Sequence, residues 1–293
     1  MIKARIKKQL FTAQGKTNLE VDIEIKKGEF ATIFGKSGTG KTTILRMLAG
    51  LVDPEEGFIQ VDDEVWFDSR SKINLPPQKR QIGFVFENYA LFPNMTVRQN
   101  LEFALPHNKK KTDFADELLY MAGLEEFADR RPTELSGGQK QRVALIRAIA
   151  RQSKVFLFDE PLSALDAETR LRIQDEILQI YRRFGTTTIL VSHDLPEVFK
   201  LSRFVFVLEE GRIIRCGKPA DVFIEGKLNG DFTFTAEIVD IQKPRNMAIV
   251  RIENRLVQIT PTAEDMGRLN IGDKIIVTAK QLSYSFKKKE DEQ

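Results

Sequence analysis

The run Gly35-Lys36-Ser37-Gly38-Thr39-Gly40-Lys41-Thr42 has the spacing G-x-x-x-x-G-K-[ST], that of a loop that cradles phosphate. It follows the apolar run Ala31 to Phe34 and precedes the helix-like stretch Thr43 to Ala49, so a strand feeds it and a helix leaves it. Glycines at 35, 38 and 40 let the backbone N–H groups turn inward, and the helix adds the positive end of its dipole. Lys41 would then reach the β- and γ-phosphates of a nucleotide, and the Thr42 hydroxyl would ligate Mg²⁺.

Other residues along the chain could do chemistry. Val155-Phe156-Leu157-Phe158 reads as a fully buried parallel strand, and it ends in Asp159-Glu160. Acids there are poorly explained by packing: Asp159 suits Mg²⁺, held through water, and Glu160 suits a general base acting on an attacking water. His193 ends the β-branched run Thr187 to Val191 within Ser192-His193-Asp194, where it suits a γ-phosphate contact. Ser136-Gly137-Gly138-Gln139 opens a helix-like segment from Lys140 to Arg151 and makes a second anion-binding terminus, although a plain N-cap explains Ser136 equally well. Phe11 is the aromatic that could stack on adenine or pack in a core. His107, the other histidine, follows a proline in a polar stretch and reads as solvated.

The elements that must position these groups are legible in outline. Leu19 to Ile25 alternates apolar and acidic residues, as a half-buried strand ending at Lys27-Gly28 does. Strands are expected over Phe58 to Val61 and Ile82 to Phe86, and an inserted helical subdomain at about 88–151, its periodicity broken by Pro106 and Gly123. A helix from about Ala167 to Phe184 separates Ser163-Ala164-Leu165-Asp166 from the Thr187 strand.

Composition narrows the class. The 293 residues are 42% hydrophobic and 30% charged with a net charge of +3, enough for a sizeable core and without the basic stripe a nucleic-acid partner would require. One cysteine, Cys216, excludes an internal disulfide framework. No apolar run is long enough to span a bilayer and the N-terminus lacks a signal-peptide core, so a cytoplasmic protein is expected.

In this order, the phosphate loop, Leu135-Ser136-Gly137-Gly138-Gln139, the Val155 to Glu160 strand, the Ser163 to Asp166 loop and His193 resemble the nucleotide-binding subunit of an ATP-binding cassette (ABC) transporter over about residues 1–230. The resemblance implies an α/β P-loop NTPase with antiparallel β and helical subdomains, in which Gly35 to Thr43, Phe11, Ser136 to Gln139 and Asp166 contact ATP. It implies Mg²⁺ at Thr42, Asp159 and position 87, and catalysis by Glu160, His193 and position 87. It further implies a head-to-tail homodimer in which Ser136 and Gly138 of one chain complete the site of the other. A separate membrane permease with a solute-binding protein would be moved by closure, placing the chain on the inner face of the cell membrane. One departure stands out: Phe86-Glu87-Asn88-Tyr89 carries Glu87 where the family carries Gln.

From about residue 231 the texture changes to short strands, Phe234 to Ile241, Met247 to Ile252, Arg255 to Ile259 and Lys274 to Ala279, with turns at Lys243 to Asn246 and Ile271 to Asp273. Residues 231–286 read as a small OB-like β-barrel, and Thr260, Gly272 and Lys280 resemble positions of the oxyanion-binding domain of molybdate-importer ATPases; a barrel that only supports the dimer is the alternative. Residues 287–293 read as a solvated tail. The expectation is an importer ATPase for molybdate or a related oxyanion, with sulfate, ferric iron or polyamine as the alternatives, and, from another class, a soluble oxyanion-sensing regulator.

Overall fold

The computed structural model describes residues 1–12, 15–106, 111–163, 165–223, 232–245, 247–252 and 255–279, so His107, Ala164, Asn246, Lys280 and the 287–293 tail lie outside the described residues. The chain divides into two compact units, Met1–Ile224 and Glu225–Gln293.

The first unit begins with a long hairpin, β1 (Ile2–Thr12) and β2 (Gly15–Ile25), in register from Ile2 opposite Ile25 to Thr12 opposite Gly15. The alternation read from the sequence is real here: Leu19, Val21, Ile23 and Ile25 are buried while the acids between them face solvent. Then follow β3 (Phe30–Phe34), α1 (Lys41–Ala49), β4 (Glu56–Val61), β5 (Glu64–Asp68), β6 (Ile73–Asn74) and β7 (Ile82–Val85). The helical part contains α2 (Val97–Ala104), α3 (Lys111–Met121), two short 3₁₀ turns and α4 (Gly137–Ala150). The chain returns through β8 (Val155–Asp159), α5 (Ala167–Phe184), β9 (Thr187–Ser192), α6 (Leu195–Leu201), β10 (Phe204–Glu209), β11 (Arg212–Gly217) and α7 (Pro219–Phe223).

Among the described residues eleven strands form one sheet in the order β6-β5-β4-β1-β2-β11-β10-β3-β9-β8-β7. The run β10-β3-β9-β8-β7 is parallel throughout, and the outer strands β1, β2, β4, β5 and β6 make the antiparallel part. The parallel strands are buried on both faces, which explains their continuous apolar runs. Val155 and Leu157 of β8 join Ile44, Leu45 and Leu48 of α1 in one core, whereas Phe156 and Phe158 join Ile146 of α4 and Ile173 and Ile177 of α5 in another. A strand alternating between two cores carries its last residues to a fixed sheet end. There the loops to α1, α5 and α6 converge.

The second unit contains β12 (Phe232–Gln242), β13 (Met247–Ile252), β14 (Arg255–Ile259), the single turn α8 (Ala263–Met266) and β15 (Lys274–Ala279). These strands pair antiparallel in the order β14-β13-β12-β15 around Ala236, Ile238 and Val250. The expected turn at Ile271 to Asp273 is anchored by Gly272 N–H donating to the Ile238 carbonyl at 2.8 Å. A barrel would need β14 and β15 to meet, and among the described residues the four strands make an open sheet instead.

Candidate functional site

The sequence between β3 and α1 folds as a loop because Gly38 and Gly40 take φ values of 83° and 102°, open to glycine without strain. Gly40 is the N-cap of α1 and supplies no capping side chain, and the first turn holds no acid, so the helix's free N–H groups have no competing carboxylate within the helix. Lys41, 3% exposed, donates from Nζ to the carbonyls of Gly35 and Lys36 at 2.9 Å each and pairs with Glu160 Oε1 at 3.2 Å. Its ammonium is thus held over the loop. Ser37 and Lys36 are exposed on the rim, and Thr39 steadies the loop by donating to the Lys36 carbonyl at 2.9 Å. Thr43, half-buried, follows in the first turn of α1.

The far end of α1 shows how that loop is kept in place. Arg80, fully buried, donates to the carbonyls of Met47 and Leu48 at 2.8 Å each, to Leu75 O at 2.8 Å and to Asn74 Oδ1 at 3.3 Å, and lies over the Trp66 ring. It caps the negative end of the helix whose positive end forms the phosphate loop. Burial pushes its pKa down to about 10, so it remains a cation. The sequence reading missed this residue, since a lone arginine in Gln78-Lys79-Arg80-Gln81 gives no local sign of burial.

Thr42 Oγ1 donates to Asp159 Oδ1 at 2.7 Å, so the two proposed Mg²⁺-facing groups meet across α1 and β8. Burial pushes the Asp159 carboxyl up, Thr42 opposes that shift, and the charges of Glu87 and Glu160 add to it. A hydroxyl and an oxygen-rich carboxylate, both hard donors, suit Mg²⁺, and the nearby acids make a cation favourable there. Glu87 sits just beyond β7. The parallel pairing of Val85 with Phe158 brings Phe86-Glu87 and Asp159-Glu160 to the same sheet end.

Glu160 stands at φ 43°, left-handed backbone for a side-chain-bearing residue, and is fixed there by its N–H donating to Val191 O and by Ser163 Oγ donating to its carbonyl at 3.0 Å. Its second carboxylate oxygen lies 3.1 Å from His193 Nδ1. Behind them a cavity of ≈ 40 Å³ is lined by Glu160, Arg170, His193, Asp194 and Glu197. Ser192 donates to the buried Glu197 carboxyl, whose pKa burial raises. The structure therefore strings Thr42–Asp159 and Lys41–Glu160–His193 along one sheet end.

Ser136 to Gln139 sit apart from this network. Ser136 caps α4 by accepting from Gln139 N–H at 3.3 Å, while Gln139 Oε1 accepts from Ser136 N–H at 2.8 Å, a reciprocal capping box. A Cβ on Gly138 would come within 2.9 Å of Thr169 Cγ2, and Thr169 N–H is in turn the donor to Asp166 Oδ1, the N-cap of α5, at 2.9 Å. That bond, largest among several, holds the Asp166 carboxyl below its usual range. Among the described residues no hydrogen bond joins Ser136 or Gln139 to the phosphate loop. Phe11 is 78% exposed near the tip of the β1–β2 hairpin, with Lys16 Nζ 5.6 Å from its ring centroid, so it is not a core residue.

A phosphate loop between a parallel strand and a helix, with acids at the end of another parallel strand one removed in the same sheet, defines a P-loop NTPase. Residues 19–163 match the ABC transporter family. The spermidine/putrescine import ATP-binding protein PotA of Oleidesulfovibrio alaskensis is 44% identical over 209 residues, covering 70% of this chain and 54% of that protein. The trehalose/maltose import ATP-binding protein MalK of Thermococcus litoralis is 44% identical over 208 residues, 70% of this chain and 56% of that one. PotA of Bacillus cereus is 40% identical over 239 residues, 80% of this chain and 71% of that protein. Among solved structures, a dimeric ATP-binding cassette in a post-hydrolysis state bound to ADP and Pi superposes with a TM-score of 0.64 at 31% identity, covering 75% of this chain and 99% of that one. The chain belongs to the ABC transporter family and carries its ATPase domain. It spans little more than half the length of the first two relatives.

Proposed function

We propose that this chain is the ATP-hydrolysing subunit of a solute importer. The observation that carries the reading is the Lys41–Glu160–His193 chain beside Thr42–Asp159, a set of groups matched to phosphoryl transfer to water. The nucleotide's phosphates would lie on the loop from Gly35 to Thr43, with Lys41 leaving the loop carbonyls to meet the β- and γ-phosphates. Mg²⁺, faced by Thr42, Asp159 and Glu87, would supply charge neutralisation when bound. Glu160 would accept the proton of the attacking water, and His193 would hold the γ-phosphate end. Phe11, exposed on the hairpin, is free to stack on adenine.

Transfer of this kind is mostly positioning, so an incomplete site turns over slowly. The self-capped α4 terminus is the missing component: in a head-to-tail homodimer, Ser136 to Gln139 and Asp166 of a second copy would close over the first copy's phosphates. A dimer is the state in which the similar cassette was solved. No helix among the described residues is long and apolar enough to cross a membrane. In an importer of this family the moved part would be a permease, with the chain docked on its cytoplasmic side.

The relatives give molybdate no support. Their names specify spermidine/putrescine and trehalose/maltose, and polyamine, one of the alternatives left by the sequence, is the substrate we favour. The second unit would then serve the dimer rather than bind an oxyanion at Thr260, Gly272 and Lys280. Phosphate release by the purified chain with ATP and Mg²⁺ tests the ATPase reading, and its absence in wild type overturns it. Uptake of labelled spermidine, maltose and molybdate in vesicles carrying the chain and its permease tests the solute; uptake of molybdate alone overturns the polyamine choice.

A further inference from the structure

The segment leaving β7 passes through two consecutive non-glycine residues in the left-handed region, Tyr89 at φ 62° and Ala90 at φ 44°. A pair of side-chain-bearing residues persists in such backbone only where its surroundings over-determine it. The segment itself supplies two bonds, Tyr89 N–H to Phe86 O at 2.9 Å and Ala90 N–H to Asn88 O at 2.7 Å. The rest comes from two helices. Asn100 of α2, fully buried, accepts from Phe92 N–H at 2.9 Å and donates to the carbonyls of Phe92, Met95 and Thr96. Arg147, in the last turn of α4, donates from Nη1 to Ala90 O at 2.7 Å and from Nη2 to Tyr89 O at 2.9 Å, with its guanidinium 5.5 Å from the Phe92 ring centroid. A planar fork reading two consecutive carbonyls while stacking on a ring is a geometry that arginine provides and lysine does not. The far side of the segment is thus pinned by Asn100 and its middle by Arg147. Glu87 occupies the short span between β7 and that clamp.

We propose that Arg147 is a positioning residue for Glu87: by holding the Tyr89 and Ala90 carbonyls it keeps the Glu87 carboxylate beside Asp159, on the metal side of the site. The proposal rests on the reading of Glu87 and Asp159 as metal-facing carboxylates. Arg147 itself touches neither metal nor nucleotide. Its loss should therefore weaken the metal-dependent part of nucleotide binding and spare the rest.

The test uses the full chain and an ATP analogue with a non-hydrolysable β,γ-imido bridge, with Mn²⁺ binding followed by electron paramagnetic resonance and metal-free analogue binding measured in chelator. Arg147→Met should weaken Mn²⁺ about tenfold, the low end for a group that orients a metal ligand. Analogue binding without metal should stay within about twofold of wild type, and in a Glu87→Ala background, which removes the metal-facing oxygen, Arg147→Met should add no further loss of Mn²⁺ affinity. Arg147→Lys, which keeps the charge but not the fork, should lose an intermediate amount and serves if the methionine variant folds poorly. Equal losses of Mn²⁺ affinity from Arg147→Met in both backgrounds would overturn the proposal. So would no loss from Arg147→Met while Glu87→Ala alone weakens Mn²⁺. If Glu87→Ala leaves Mn²⁺ affinity unchanged, the metal reading of Glu87 is what fails.

Discussion

At the N-terminus of α1, side chains from α1, β8 and the loops after β8 and β9 are tied to one another: Thr42 to Asp159, Lys41 to Glu160, Glu160 to His193. At the N-terminus of α4, among the described residues, the side chains of Ser136 and Gln139 bond only within their own capping box. Both are helix ends suited to an anion. The first is organised by long-range contacts that the fold of one chain supplies. The second is a local motif that would form on almost any helix, and a local motif carries no information about what it faces. In the proposed reading, the groups for metal, base and phosphate come together within one chain, whereas Ser136 to Gln139 would meet their ligand on another.

The comparison is broken most severely at Glu160. Glu160→Gln keeps the side-chain shape but removes the proposed base, and single-turnover phosphate release should fall by about 10²–10⁴-fold while nucleotide binding remains; wild-type turnover would remove Glu160 from that role. Next comes the opposite pole of α1. Arg80→Leu leaves the carbonyls of Met47, Leu48 and Leu75 without their buried donor, and denaturant unfolding should show a loss of about 3–5 kcal/mol.

At the second region the expected effects are smaller. Ser136→Ala removes the cap of α4 and should cost about 1 kcal/mol in the same unfolding measurement, with nucleotide binding by the isolated chain unchanged. Beneath His193, the Glu197 carboxyl has a pKa raised by burial in the folded state, so its contribution to stability is fully present below its unfolded pKa and is lost as pH rises through the folded value. Glu197→Gln should therefore gain thermal stability relative to wild type at neutral pH and show no gain at a pH below the ordinary glutamate range. A constant difference at both pH values would mean that packing, not ionisation, governs this position.

What could be read from the sequence follows the same division between local and long-range causes. The loop from Gly35 to Thr42, the acids ending β8, the Ser136 cap and the bounds of α5 from Ala167 to Phe184 all rest on short-range spacing, and the structure places elements where those signals put them. Strands β10 and β11 went unread although Phe204 to Leu208 is apolar, because their sheet positions beside β3 and β2 depend on residues nearly two hundred positions away. β5 and β6 are short edge-side strands with little periodicity. Phe11 was open between core and surface until burial decided it, and the left-handed backbone of Glu160, Tyr89 and Ala90 has no glycine to announce it. Arg80 and Arg147 were invisible for one reason: what an arginine holds is set by the carbonyls around it, and those come from distant elements.

In the proposed reading the phosphate loop of one chain is half a site, completed by Ser136 to Gln139 of a second. Sedimentation velocity of the Glu160→Gln chain, with and without ATP, measures it most directly when paired with the Glu160→Gln/Ser136→Arg double variant. An ATP-dependent dimer is expected that the added arginine abolishes, with ATP affinity of the monomer nearly intact. A dimer that forms equally well with Arg at position 136, or a monomer that loses its own ATP affinity when Ser136 is replaced, would contradict it.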